Sequence, residues 1–188
     1  MKTKQLHIKN MVCDRCIAAV KQTLNNMQIP VLEIDLGKVI IPNQEVDKQQ
    51  LNKVLKQKGF ELLQDKNDIV SAQVKAILID LIHYRTDDVK INYSDYLKEG
   101  LNMDYAVISK IFSKTEGLTI EKFIILQKIE KVKELIDYGD LNFSEIAYKL
   151  QYSSVSHLSR QFKKITGMTL SQYKNQSDSK RNSLDRIK

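Results

Sequence analysis

Two cysteines stand three positions apart, as Cys13-Asp-Arg-Cys16, and they are the only two in a chain of 188 residues. Thiolates are soft donors that favour Cu(I), Zn²⁺ or similar ions. Two suffice for Cu(I), whereas zinc would need a third ligand or a partner chain. The same spacing also permits a second chemistry, closure of a Cys13–Cys16 disulfide as a redox signal. In a third reading the loop does neither, and its domain serves for dimerisation or for another ligand. Two cysteines cannot form a disulfide framework, and in a reducing cytosol they are chemical more often than structural. Met11 is expected to pack beneath the loop, and His7 to lie on a strand surface rather than to act as a third ligand.

The elements around this pair would bring both sulfurs to one exposed loop. Leu6, Ile8 and Met11 suggest a strand from about Lys4, and Ile17, Val20, Leu24 and Met27 recur at helical spacing from Cys16. A helix N-terminus there is expected to lower the thiol pKa. Pro30 stops the helix, residues 31–36 alternate as a strand, and Gly37-Lys38 turns into a strand over 39–41. Asp47 can cap a second helix carrying Leu51, Val54 and Leu55, which ends at Gly59 before a short strand over 60–63. The order β-α-β-β-α-β within residues 1–66 is the ferredoxin-like pattern. Residues 64–68 read as a polar, linker-like break, and the composition changes near residue 67.

Beyond that point strand signals vanish. Ile69, Val70, Val74, Ile77, Leu78, Leu81 and Ile82 form a helical stripe, and the rest contains an internal repeat of 50 residues. Asn92, Ser94, Ser109, Phe112, Lys114, Gly117 and Thr119 fall on Asn142, Ser144, Ser159, Phe162, Lys164, Gly167 and Thr169. Each copy reads as helix, short turn, helix, over about 92–117 and 142–167, and a long helix over about 119–139 joins them. Asn142 with Glu145 is a capping-box arrangement, and Ser153 is expected to cap the second helix of its copy. Leu97, Leu101, Ile108 and Phe112 would face inward in copy one, and Ile146, Ala147, Leu150, Leu158, Phe162 and Ile165 in copy two. The joining helix would bury Phe123, Leu126, Ile129, Val132 and Ile136.

A helix-turn-helix can place its second helix in a DNA major groove. In copy two the outward face would hold Ser154, Val155, Ser156, Ser159 and Arg160, with Lys163 and Lys164 towards phosphates. In copy one it would hold Tyr105, Ala106, Ser109 and Lys110, with Lys114 further along. His83 is expected to be structural, and His157 to be structural or near DNA. The formal charge of +7 is unevenly spread: residues 67–140 carry 10 basic and 13 acidic side chains, residues 141–188 carry 9 and 3. No carboxylate lies between Glu145 and Asp178. A joining helix of about 30 Å approaches the ~34 Å of one DNA turn, so two reading helices could enter successive grooves.

Residues from about 69 to 174 resemble the AraC/XylS-type DNA-binding domain. The matching segments are Ile108-Ser-Lys-Ile-Phe-Ser-Lys-Thr-Glu-Gly-Leu-Thr119, Ile129-Glu-Lys-Val-Lys-Glu-Leu135, Ser144-Glu-Ile-Ala-Tyr-Lys-Leu-Gln-Tyr152 and Ser159-Arg-Gln-Phe-Lys-Lys-Ile-Thr-Gly-Met-Thr169. The resemblance implies that base contacts come from the outward faces just named. It departs at Gln151, where that family usually has glycine. Met11-Val-Cys-Asp-Arg-Cys16 resembles the heavy-metal-associated domain of copper chaperones and metal-transporting ATPases, as does Lys58-Gly59-Phe60 before the last strand. Here Asn10 stands for the usual glycine and Val12 for threonine. That second resemblance implies metal binding at Cys13 and Cys16.

No run reaches the ~18 apolar residues of a membrane span, and residues 1–7 lack the apolar core of a secretory signal. With 6 Gly and 2 Pro there is no phosphate-binding Gly-rich loop, and no Gly-x-Ser-x-Gly or His-Glu-x-x-His motif. The expected protein is therefore a cytoplasmic regulator rather than an enzyme, with double-stranded DNA as partner and a homodimer as one route of control. It divides into an α+β unit over 1–66, an all-α reader over 67–176 and a polar tail over 177–188. The alternative is a chaperone-like metal-handling protein whose helical part is an interaction module.

Overall fold

A computed structural model describes residues 2–85, 92–176 and 184. The first segment folds as β1 (Thr3–Lys9), α1 (Asp14–Asn26), β2 (Glu33–Asp35), β3 (Lys38–Pro42), α2 (Lys48–Gln57) and β4 (Glu61–Leu63). The four strands form one sheet in the order β2-β3-β1-β4 with every neighbour antiparallel. The period-2 pattern sends Leu6, Ile8, Val39, Ile41 and Leu62 to one face, where they bury against Val20 and Leu24 of α1 and Leu51 and Leu55 of α2. Met11 joins this core at 1% exposure, so it is a packing residue beneath the loop. β2 is shorter than the expected 31–36 because it is the outer strand, and Leu32 beside it is exposed.

Residues 64–68 are not a linker. The Asp65 side chain accepts from the backbone N–H groups of Asn67 and Asp68 and starts α3 (Lys66–Ile79). The polar residues that read as a break are a helix cap and first turn. α3 runs into a π-helical turn, Asp80–Tyr84.

The helical repeat follows as α4 (Tyr93–Leu101), α5 (Tyr105–Glu116), α6 (Ile120–Tyr138), α7 (Phe143–Lys149), α8 (Val155–Thr166) and α9 (Leu170–Lys174). α5 and α8 begin and end 50 residues apart, each closed by a left-handed glycine, Gly117 or Gly167. Thr119 and Thr169 then cap the helices that follow. Two cores result. One gathers Val74, Leu78, Leu97, Ile108, Phe112, Ile120 and Phe123, and the other Ile129, Val132, Ile136, Ile146, Leu150, Leu158, Phe162 and Tyr173. α6 contributes to both. Its burial exceeds the single stripe expected, because Gln127, Glu130, Lys131 and Lys133 are also buried. Lys133 pairs with Glu130 and Lys131 with Glu134, each at 2.6 Å, so their charges enter the interior compensated. No helix among the described residues is long and apolar enough to cross a membrane.

Candidate nucleic-acid interface and thiol loop

α8 presents the basic surface. Ser156, Arg160, Lys163 and Lys164 are exposed and Ser159 is half-buried, while Leu158 and Phe162 are fully covered behind them. The cap of α8 is Ser154, not Ser153: its hydroxyl accepts from the His157 N–H at 3.1 Å. The Ser153 hydroxyl instead meets His157 Nδ1 at 3.1 Å, and the Tyr152 ring stands edge-on to the same imidazole. His157 is thereby fixed on the exposed face, one helical turn before Arg160. Val155 does not face away as expected. It is half-buried against the second core, since the first residue of a helix leans back over the preceding turn.

On α5, Ala106, Lys110 and Lys114 are exposed and Ser109 is half-buried. Tyr105 is not a free reading residue. Its hydroxyl donates to Glu121 Oε1 at 2.8 Å, and burial, reinforced by that carboxylate, pushes its pKa up to about 12. The outward position that the sequence reading missed is Val107, 47% exposed and one turn before Lys110. Its place in the repeat, 50 residues before His157, was the available signal.

The turns between the paired helices use left-handed backbone at Asn102, φ 49°, and Gln151, φ 58°. At Gln151 the turn holds the conformation glycine adopts most readily, without a glycine.

Cys13 precedes α1 in extended conformation and Cys16 occupies its third residue, which sets the two sulfurs 3.3 Å apart. Both side chains are half-buried. The expected lowering of thiol pKa by the helix end does not hold for Cys16. Burial pushes it up, and the neighbouring Cys13 adds to this against backbone hydrogen bonds that favour thiolate. Asn10 takes φ 71° and donates from Nδ2 to the Gly59 carbonyl at 2.9 Å, tying the thiol loop to the turn before β4. On its other side Val12 packs against the first helical core. A cavity of about 30 Å³ at this joint is lined by Met11, Val12, Lys75, Ala76, Thr115 and Glu116. There Glu116 accepts from Ser71 at 2.7 Å and pairs with Lys75 at 3.2 Å, with both charged side chains 9% exposed. The thiol loop therefore rests on α3 and on the end of α5, a contact no local pattern announced. No group of three or more His, Cys, Asp or Glu able to hold a metal occurs among the described residues. His7 sits half-buried on β1, and His83 is buried with Nε2 3.0 Å from Gln127 Oε1.

Two short helices joined by a left-handed turn, repeated after 50 residues, define a helix-turn-helix architecture. Residues 97–176 match the family described as "Helix-turn-helix domain". The chain is similar to the uncharacterised helix-turn-helix-type transcriptional regulator YtdP of Bacillus subtilis (strain 168), 27% identical over 127 residues, which are 66% of this chain and 16% of that protein. It is also similar to YdeC, described in the same words and from the same strain, with 22% identity over 116 residues, 62% of this chain and 39% of the other. The chain thus spans less than half the length of both relatives. Among solved structures, the C-terminal domain of AraT, a response regulator from Geobacillus stearothermophilus, matches with TM-score 0.49 and 18% identity, covering 63% of this chain and 95% of that one.

Proposed function

We propose that this protein is a cytoplasmic, sequence-specific DNA-binding transcription regulator whose two reading helices are α5 and α8. The observation that carries the reading is the repeat itself. Two helices, each closed by a left-handed glycine, stand 50 residues apart on one connecting helix, each with exposed basic residues on its outer face: Lys110 and Lys114, then Arg160, Lys163 and Lys164. α6, with 19 residues at ~1.5 Å each, is long enough to separate them by nearly one DNA turn. Arg160 suits guanine, and the serines of α8 permit close approach to base edges. The test is enrichment from a random-sequence duplex pool, followed by binding at rising salt. A regulator of this kind enriches one sequence, and its log affinity falls linearly with log salt. Recovery of an unselected pool would reject sequence-specific binding.

Residues 1–66 are proposed as a ferredoxin-like, heavy-metal-associated-type sensor over a helical reader of residues 67–176. The strand order β2-β3-β1-β4 and the cysteine pair at the junction of β1 and α1 support this. Two thiol donors fit a soft, two-coordinate ion such as Cu(I). Zn²⁺ would require ligands from another chain, because no third donor accompanies the pair among the described residues. A metal or thiol change there would act through the adjoining Val12, which touches the core that holds Ile108 and Phe112 of α5, or through homodimer formation. Titrating the anaerobic reduced protein and its Cys13→Ser/Cys16→Ser variant with Cu(I) and Zn²⁺ tests the donors. Equal uptake by both proteins would remove the cysteines from the site.

A further inference from the structure

Lys128 lies in the middle of α6, and its ammonium group meets both copies of the repeat at once. Nζ stands 5.5 Å from the ring centroid of Tyr93, the first residue of α4, and 5.5 Å from that of Tyr152, in the turn of the second unit. It also donates a 2.8 Å hydrogen bond to the Leu150 carbonyl. Leu150 closes α7, so this carbonyl is one of the helix-end acceptors that lack a partner within their own helix. Lys128 therefore caps a helix of one copy while lying between aromatic rings from both.

Stability alone does not account for this lysine. Burial pulls its ammonium down to about 8, and the two ring faces, which attract the charged form, oppose that pull. No carboxylate forms a salt bridge with it among the described residues. A methionine would fill the same channel without a desolvated charge. What a methionine lacks is the hydrogen bond and the cation that Tyr93 and Tyr152 share.

We propose that Lys128 is a positioning residue that sets the separation and angle of the two reading helices, and so the half-site spacing the protein selects. The inference rests on the DNA-binding reading above. Each unit has its own core, so loss of the ammonium leaves both units folded and frees one to turn against the other. Linked modules gain avidity only when both engage together, so this freedom acts on spacing preference and not on contacts to one half-site.

The test uses the duplex enriched by the wild-type protein, with its two half-sites moved closer or further apart by one base pair. Wild-type protein is expected to prefer the parental spacing by about tenfold or more, and Lys128→Met by less than about threefold. Binding of a duplex carrying a single half-site should change by less than about twofold, with no fall in the thermal midpoint. Tyr93→Leu, which removes one ring and leaves the lysine, should narrow the preference in the same direction. An undiminished spacing preference in Lys128→Met, or an equal loss on single and paired half-sites, would overturn the assignment. Failure of the wild-type protein to enrich any duplex would instead overturn the underlying DNA-binding reading.

Discussion

Phe112 of α5 meets Phe123 of α6 edge to face with ring centroids 5.6 Å apart, and fifty residues later Phe162 meets Tyr173 at the same 5.6 Å. α5 and α8 are thus each pinned to the helix that follows by one aromatic pair in its own core. Truncating either phenylalanine opens a large void, and Phe162→Ala should cost about 3–5 kcal/mol in denaturant unfolding. Because the two pairs belong to separate cores, the costs of Phe112→Ala and Phe162→Ala should add to within about 0.5 kcal/mol. A loss below about 1 kcal/mol for Phe162→Ala would show that α8 is not anchored there.

Gln151 holds left-handed backbone at φ 58° on an exposed turn. A residue with a Cβ is strained there by about 1 kcal/mol, and glycine is not. Gln151→Gly should therefore raise the unfolding free energy by up to about 1 kcal/mol, net of the extra freedom glycine gives the unfolded chain. A clear drop in thermal midpoint would contradict the strain.

The Glu116–Lys75 pair beneath the thiol loop gives an acid-side signature. Burial by itself would raise the Glu116 pKa, but the Ser71 hydroxyl and the Lys75 ammonium outweigh it and hold the carboxyl below its usual value. The stability it supplies is therefore complete above the ordinary glutamate pKa of about 4.3 and is lost as pH falls below it. Glu116→Gln should flatten the decline in stability between about pH 5 and 3 relative to wild type. Lys75→Met strands a buried carboxylate and should cost about 3–5 kcal/mol at pH 7. Parallel acid profiles for wild type and Glu116→Gln would remove the carboxylate from this role.

Cys16 should be a slow nucleophile. Its raised pKa leaves less thiolate at neutral pH than a free cysteine has, although the residue sits in the first turn of α1. In Cys13→Ser, alkylation of Cys16 by iodoacetamide should lag behind free cysteine at pH 7.5. Its rate should still be rising above pH 9. A faster rate than free cysteine would mean that the helix end outweighs burial after all.

What the sequence made legible was local chemistry. The Asn142–Glu145 capping box, the Asp47 cap and the glycine ends of α5 and α8 depend on residues a few positions apart, and all of them form. Where two polar residues compete for one role, local sequence does not say which one caps, as with Ser153 and Ser154. Nor does local sequence tell the Asp65 cap from a linker, since caps and linkers use the same residue types. Contacts that depend on distant elements left no pattern. Tyr105 turns to Glu121, Val155 folds back on its core, and Val12 enters a core built from residues sixty and more positions away. The buried ion pairs of α6 were hidden for the same reason, because a helix sequence does not state how many sides will be covered.

The most direct test of the central claim is the affinity of the Lys110→Ala/Arg160→Ala double variant for the duplex enriched by wild-type protein, measured by fluorescence anisotropy at two salt concentrations. Both side chains are exposed on the outer faces of α5 and α8, so the fold should persist. The account predicts a loss of at least about tenfold in specific affinity, a smaller gap between specific and random duplex, and a shallower salt slope. Binding as tight and as selective as that of the parent would contradict it.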